Sequence, residues 1–147
     1  MSDNKLIKFE IVTPERIVLK ELIRQITLPT KQGEITILPN HIPLIATLLP
    51  GVIHLQRADD SQEILSVSGG FVEVLMNKVV VLADTAERAE EIDIDRAEEA
   101  KKRAEQIMKD TKRTDLESFT TVNAQIAKEL ARTRAVKVWR KLKNISK

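Results

Sequence analysis

The chain has no cysteine and no tyrosine, and only one tryptophan and three phenylalanines among 147 residues. Without thiols, disulfide scaffolds, thiolate metal sites and cysteine catalysis are excluded, and a reducing compartment is compatible. An aromatic content of 3% argues against a groove that stacks sugars or a platform that stacks nucleobases. Two histidines, His41 and His54, are too few for a His-rich metal site, so no metal is expected. No segment approaches the roughly 18 consecutive apolar residues that span a bilayer. Residues Met1 to Lys5 lack the apolar run of a secretory signal and the Arg/Ser-rich character of a transit peptide, and a soluble protein kept where it is made is expected. Catalytic signatures are missing too: there is no phosphate-binding P-loop, no nucleophile elbow, no HExxH pair and no GxGxxG turn. His41 lies in the stretch Pro39–Pro43 with no partner carboxylate suggested by the pattern. No catalytic residue is assigned, and the chain is not expected to be an enzyme by itself.

What is present divides in two. All four glycines and all five prolines lie before residue 71. Residues 1–86 carry 10 acids and 8 bases, whereas residues 87–147 carry 12 acids and 16 bases in a shorter stretch. A lightly charged segment punctuated by turns is followed by a densely charged one without breakers, which marks two architectures joined near residue 87. In the first, Ile7, Phe9 and Ile11 alternate with Lys8 and Glu10, the period-two pattern of a half-buried strand. Further short runs follow at 17–19, 22–28, 34–38, 44–48, 52–57, 63–67, 71–75 and 79–82, with turn signals between several of them. Gly69-Gly70 reads as a bulge or tight turn. The spacing predicts an antiparallel sandwich or barrel.

The second segment predicts two helices. Ala97, Ala100, Ala104, Ile107 and Met108 make one narrow stripe. Phe119, Val122, Ile126, Leu130 and Thr133 make another, with Ala124, Ala127, Ala131 and Ala135 beside it. Asp93 is placed to cap the first helix, and 110–118 reads as the connector. Small alanine faces allow close packing as an antiparallel hairpin, yet each buries little area at about 25 cal/mol per Å². Such a hairpin is expected to be weakly held. The fold class is therefore α+β: an N-terminal β-domain over residues 1–87 and a C-terminal two-helix antiparallel hairpin over residues 88–147.

Four stretches together carry a family resemblance. Ile11–Glu15, Gly33–Leu44, Ser68–Val74 and Val79–Arg88 resemble the epsilon subunit of bacterial F-type ATP synthases, called delta in mitochondria. The resemblance runs from about residue 6 to about residue 140. It implies an N-terminal antiparallel β-sandwich and a non-catalytic subunit of the central-stalk rotor. Its implied partners are the gamma subunit, the c-ring and the alpha and beta catalytic subunits, with no nucleic acid. It implies coupling of proton flow to ATP synthesis and, in many bacteria, restraint of ATP hydrolysis. The implied location is the cytoplasmic face of the bacterial inner membrane, reached through the complex.

The resemblance also implies sites. Glu34 is the candidate contact with the c-ring, and Thr13, His41 and Leu44 are candidate contacts with gamma. The segment 118–147 has one acid and eight bases. Lys128, Arg132, Arg134, Lys137, Arg140 and Lys141, with Lys143, would meet an acidic loop of the beta subunits and so block hydrolysis. Ile92–Ala97 matches a pattern of epsilon subunits that bind ATP in the folded hairpin. That match nominates Glu87, Asp93, Arg96 and Arg134 as a regulatory ATP site, with Leu130 standing where a second arginine is expected. No cofactor is required beyond this possible regulatory ATP. Without the resemblance, the alternative is a small β-domain that binds nucleic acid or an acidic protein through its basic C-terminal helix. Against nucleic acid, residues 87–117 are net acidic and aromatics are scarce.

Overall fold

The computed structural model describes residues 5–112 and 115–145 of the chain. Nine strands precede two helices: β1 (Ile7–Val12), β2 (Ile17–Thr30), β3 (Gly33–Ile37), β4 (Leu44–Leu48), β5 (Gly51–Arg57), β6 (Gln62–Val67), β7 (Gly70–Val74), β8 (Lys78–Ala83), β9 (Ala86–Arg88), α1 (Ile94–Asp110) and α2 (Leu116–Ile145). A single 3-10 turn, Ala89–Glu91, links β9 to α1.

Two layers form because one strand serves both. β2 is 14 residues long. Its first half pairs with β1, and its second half pairs with β3 and β5. The register slips between Ile23 and Gln25, where the strand turns from one layer into the other. The first layer runs β4-β7-β8-β1 and the second runs through β2, β5, β6 and β9. Alternating residues from both layers meet inside: Phe9, Ile11, Ile23, Ile26, Leu55, Leu65, Val72 and Val81 are all buried.

Three differences from the expected strands have physical reasons. The runs 17–19 and 22–28 are one strand, because Lys20 and Glu21 pair with Glu10 and Phe9 where the two runs join and no glycine or proline stands between them. β9 has only three residues, Ala-Glu-Arg, and so no alternation to read. The pairing is also mixed: β1 lies parallel to β8, from Lys8 opposite Lys78 to Val12 opposite Leu82. The other ladders are antiparallel.

The helices lie on the outer face of the second layer. Val52 and Ile64 of that layer pack with Ala89, Ile92, Ala97, Ala135 and Val136, flanked by Trp139 and Leu142. Asp93 caps α1, its Oδ1 accepting from the amides of Asp95 and Arg96 at 3.1 and 3.2 Å. Ala97 and Ala104 are the buried positions of α1, while Ile107 is exposed. On α2 the buried positions are Glu129, Ala131, Thr133, Ala135 and Val136, and Leu130 is exposed. The expected Phe119–Thr133 stripe therefore fails at Leu130. α2 turns one face to α1 and another to the sheet, and the combined buried arc is set by both.

Candidate functional site: a bare sheet face and a docked basic helix

Strand register builds a surface across the first layer. Thr47 stands opposite Phe71, Phe71 opposite Leu82, Leu82 opposite Val12, and Val12 opposite Ile17. Strand side chains alternate, and the register slips between Ile11 and Val12 so that Ile17 and not Val18 stands opposite Val12; the row therefore shares the outward face. Phe71, Leu82 and Ile17 are each 56% exposed. The row crosses four inter-strand gaps at about 4.8 Å each, roughly 19 Å in all. In the adjoining row, Ile45 stands opposite Glu73 and is 73% exposed. Exposed apolar groups gathered in this way mark a surface that binds another molecule. Ile42, Leu38 and Met76 extend it at the end where the Asn40 amide donates to the Met76 carbonyl at 3.0 Å.

The four candidates for contact with a partner are distributed around this face. Leu44 points inward and packs against the core, so the exposed residue is its neighbour Ile45. The parity was ambiguous because Leu44, Ile45, Ala46 and Leu48 are all apolar. His41 sits half-buried in the loop before β4, its Nδ1 donating to the Ile42 carbonyl at 2.7 Å. Thr13 closes the β1–β2 turn: its amide donates to the Arg16 carbonyl at 2.9 Å and its hydroxyl accepts from the Arg16 amide at 3.3 Å. Glu34 is exposed next to Gly33, whose φ of 116° forms the tip of the β2–β3 hairpin. β3 separates Glu34 from the His41 loop, so these two candidates face different ends of the sandwich. Sequence reading missed Phe71, Leu82, Ile17, Ile42 and Ile45. Their signal lay in the cross-strand register, which one strand's pattern does not contain.

The basic residues of α2 are placed in different ways. Arg134, Lys137 and Lys141 are exposed, with Leu130, along one stripe at helical spacing. Arg140 is exposed, and the Lys143 Nζ is 4.7 Å from the centre of the Trp139 ring. Lys128 is half-buried and lines a shallow cleft of about 300 Å³ with Thr13, Arg16, Asp84 and Glu87. Arg132 departs from the outward face expected of it. It turns to the sandwich and binds Glu87 and Glu129. Burial works against its charge, but its hydrogen bond to Glu129 and the nearby Glu87 carboxylate outweigh burial and hold it above the ordinary arginine value.

The residues nominated for nucleotide are partly engaged. The Glu87 carboxylate receives the Arg132 guanidinium, and the Asp93 carboxylate receives two α1 amides. Arg96 and Arg134 are exposed on different helices.

Comparison with known proteins matches both halves of the chain to a single family. The beta-sandwich domain of the ATP synthase delta/epsilon chain matches residues 6–89, and its long alpha-helix domain matches residues 90–137. The chain belongs to the ATP synthase delta/epsilon family. An ATP synthase epsilon chain from Herpetosiphon aurantiacus is 49% identical over 109 residues, covering 74% of this chain and 79% of that one. One from Nitratidesulfovibrio vulgaris strain DP4 is 43% identical over 130 residues, covering 88% and 95%. Among solved structures, a chain of the Euglena gracilis mitochondrial ATP synthase (OSCP/F1/c-ring) superposes with a TM-score of 0.77 at 20% identity, covering 90% of this chain and 82% of that one. A chain of the Tetrahymena thermophila mitochondrial ATP synthase central stalk and c-ring superposes at 0.61 and 14% identity, covering 88% and 96%. At those identities the superpositions speak for the fold. For a delta/epsilon chain, the nucleic-acid alternative is set aside. Among the described residues, no helix is long and apolar enough to cross a membrane.

Proposed function

We propose that the chain acts by docking, as the epsilon subunit in the central stalk of a proton-translocating F-type ATP synthase. It is a non-catalytic subunit that couples rotation of the c-ring to ATP synthesis in the catalytic head. The exposed Phe71, Leu82 and Ile17, joined through the half-buried Val12, with Ile45, are the observation that supports a docking role most directly. The other outer face is covered by α2, so the sandwich offers one apolar face to a partner. That partner is gamma, with His41 and Thr13 at the margin of the contact and Glu34 toward the c-ring. The chain meets the membrane through the complex, on the cytoplasmic face of a bacterial inner membrane.

The basic stripe of α2 supports a second role, restraint of ATP hydrolysis through an acidic surface of the beta subunits. Exposed single pairs contribute only about 0–1 kcal/mol each, so several must act together. A regulatory ATP in the hairpin would have to part Glu87 from Arg132 and Asp93 from the α1 amides. Calorimetric titration with millimolar ATP tests it: heat that is lost in Asp93→Ala supports binding, and no heat from the unmodified chain removes it.

The deciding experiment is co-purification. The tagged chain is recovered from gently solubilised native membranes and its partners identified by mass spectrometry. Alpha, beta, gamma and c-ring components are expected, and their absence overturns the rotor role. Deletion of residues 118–147 is expected to raise ATP hydrolysis by the assembled enzyme. Unchanged hydrolysis removes the inhibitory role and leaves the docking role intact.

A further inference from the structure

The segment 118–147 contains one acid, Glu129, and it is 3% exposed. A buried carboxylate is costly unless its charge is met. The Gln125 amide donates to its Oε1 at 3.0 Å, and Arg132 Nη1 donates to its Oε2 at 2.8 Å. Arg132 then turns its other two nitrogens to a second carboxylate. Nε donates to Glu87 Oε2 at 2.7 Å and Nη2 donates to Glu87 Oε1 at 3.2 Å. Glu87 lies in β9, 45 residues away in the chain. A planar guanidinium held on two edges by two carboxylates is fixed in direction as well as in place.

We propose that Glu87–Arg132–Glu129 is a clasp, in which the chain's own carboxylates compete with a partner's acidic surface for the basic helix. This rests on the reading of α2 as a helix that seeks such a surface. In the docked state Arg132 is withheld, and Arg134, Lys137 and Lys141 stay outward. Lifting α2 exchanges the Glu87 carboxylate for an external one, so the guanidinium is paired at both ends of the movement. The joint is Glu87. The Arg132–Glu129 pair is internal to α2 and travels with it, whereas the Arg132–Glu87 pair crosses to the sandwich. The apolar part of the docking surface mixes Ala89, Ala97 and Ala135 with Val52, Ile64, Ile92 and Val136, and Val138, Trp139 and Leu142 pack beside them. A directional charged link between α2 and β9 adds to that contact in setting whether the helix stays down.

The chain carries its own reporter, because its one tryptophan, Trp139, packs against the helix–sheet cluster. The test uses the full chain with Glu87→Gln, which cuts the joint without stranding a charge on α2, and Arg132→Gln, which cuts both pairs. Arg134→Gln is the control, an equal charge change on the outward stripe. Both clasp variants are expected to move Trp139 emission to longer wavelength and to raise amide exchange across α2 by about tenfold, with β-strand amides still protected. The control is expected to change neither. Wild-type emission and exchange in Glu87→Gln overturn the clasp. Loss of strand protection together with α2 also overturns it, since the triad would then belong to the sandwich's own stability. In the assembled enzyme, Glu87→Gln is expected to lower ATP hydrolysis by freeing the helix. A shift in emission with unchanged hydrolysis keeps the clasp and removes the inhibitory reading on which its purpose rests.

Discussion

At the scale of single residues, two positions hold the sandwich in ways that composition does not advertise. Gly70 has φ +134°, and a Cβ built there would lie 2.1 Å from the Leu82 carbonyl oxygen. The close approach of β7 to β8 needs that missing atom. Gly70→Ala is expected to destabilise the sandwich by at least about 3 kcal/mol, read as a lower urea midpoint. Glu63 is 5% exposed and accepts from two arginines, Arg57 at 2.6 Å and Arg88 at 2.8 and 3.1 Å. Those bonds to Glu63 hold the Arg88 guanidinium above its ordinary value despite partial burial. Glu63→Ala leaves two guanidinium groups facing a hole and is expected to cost about 2 to 3 kcal/mol by the same assay. Denaturation at the wild-type midpoint would show that water replaces the carboxylate without loss.

At the scale of elements, α2 starts where Asp115 makes it start. The Asp115 Oδ1 accepts from the Ser118 amide at 3.2 Å, and its Oδ2 accepts from the Ser118 hydroxyl at 2.8 Å. The hydroxyl bond and then the amide bond lower the Asp115 pKa below its ordinary 3.8. A carboxyl with a depressed folded value contributes stability that is complete above 3.8 and is lost as pH falls through the lower folded value. The Ser118 amide is expected to exchange faster only in that acid window, and a titration midpoint at or above 3.8 by NMR would contradict the cap. The same helix shows where sequence patterning stops. Strand alternation, turn residues and the Asp93 cap were legible because each is local: Ile7, Phe9 and Ile11 alternate whatever lies beside them. The exposed side of Leu130 and the inward side of Arg132 were not legible, because α2 answers to α1 and to β5 and β6 at once. The inward side of Leu44 and the outward side of Ile45 were not legible for a related reason. In a strand with Thr47 as its one polar residue, parity is fixed by the neighbouring strand, here through Leu44 opposite the buried Val74.

At the scale of the molecule, the two outer faces of the sandwich are unlike. One is covered by the chain's own helices, and the other keeps Phe71, Leu82 and Ile17 open to contact. A partner's affinity for that second face depends on apolar area, so it should change little with salt, unlike binding through α2. Phe71→Asp is expected to weaken gamma binding by about 2 kcal/mol or more with thermal stability retained. Unchanged gamma affinity in a pull-down titration would move the docking site elsewhere. The parallel ladder between β1 and β8 has a further consequence, one of timing. Lys8 finds Lys78 at a separation of 70 positions in sequence, so the first of these strands to leave the ribosome is among the last to be fully paired. Until β8 emerges, β1 presents an open edge held from one side by β2. A nascent chain halted before residue 78 should remain open to protease, and one halted after β9 should resist it while the helices are still being made.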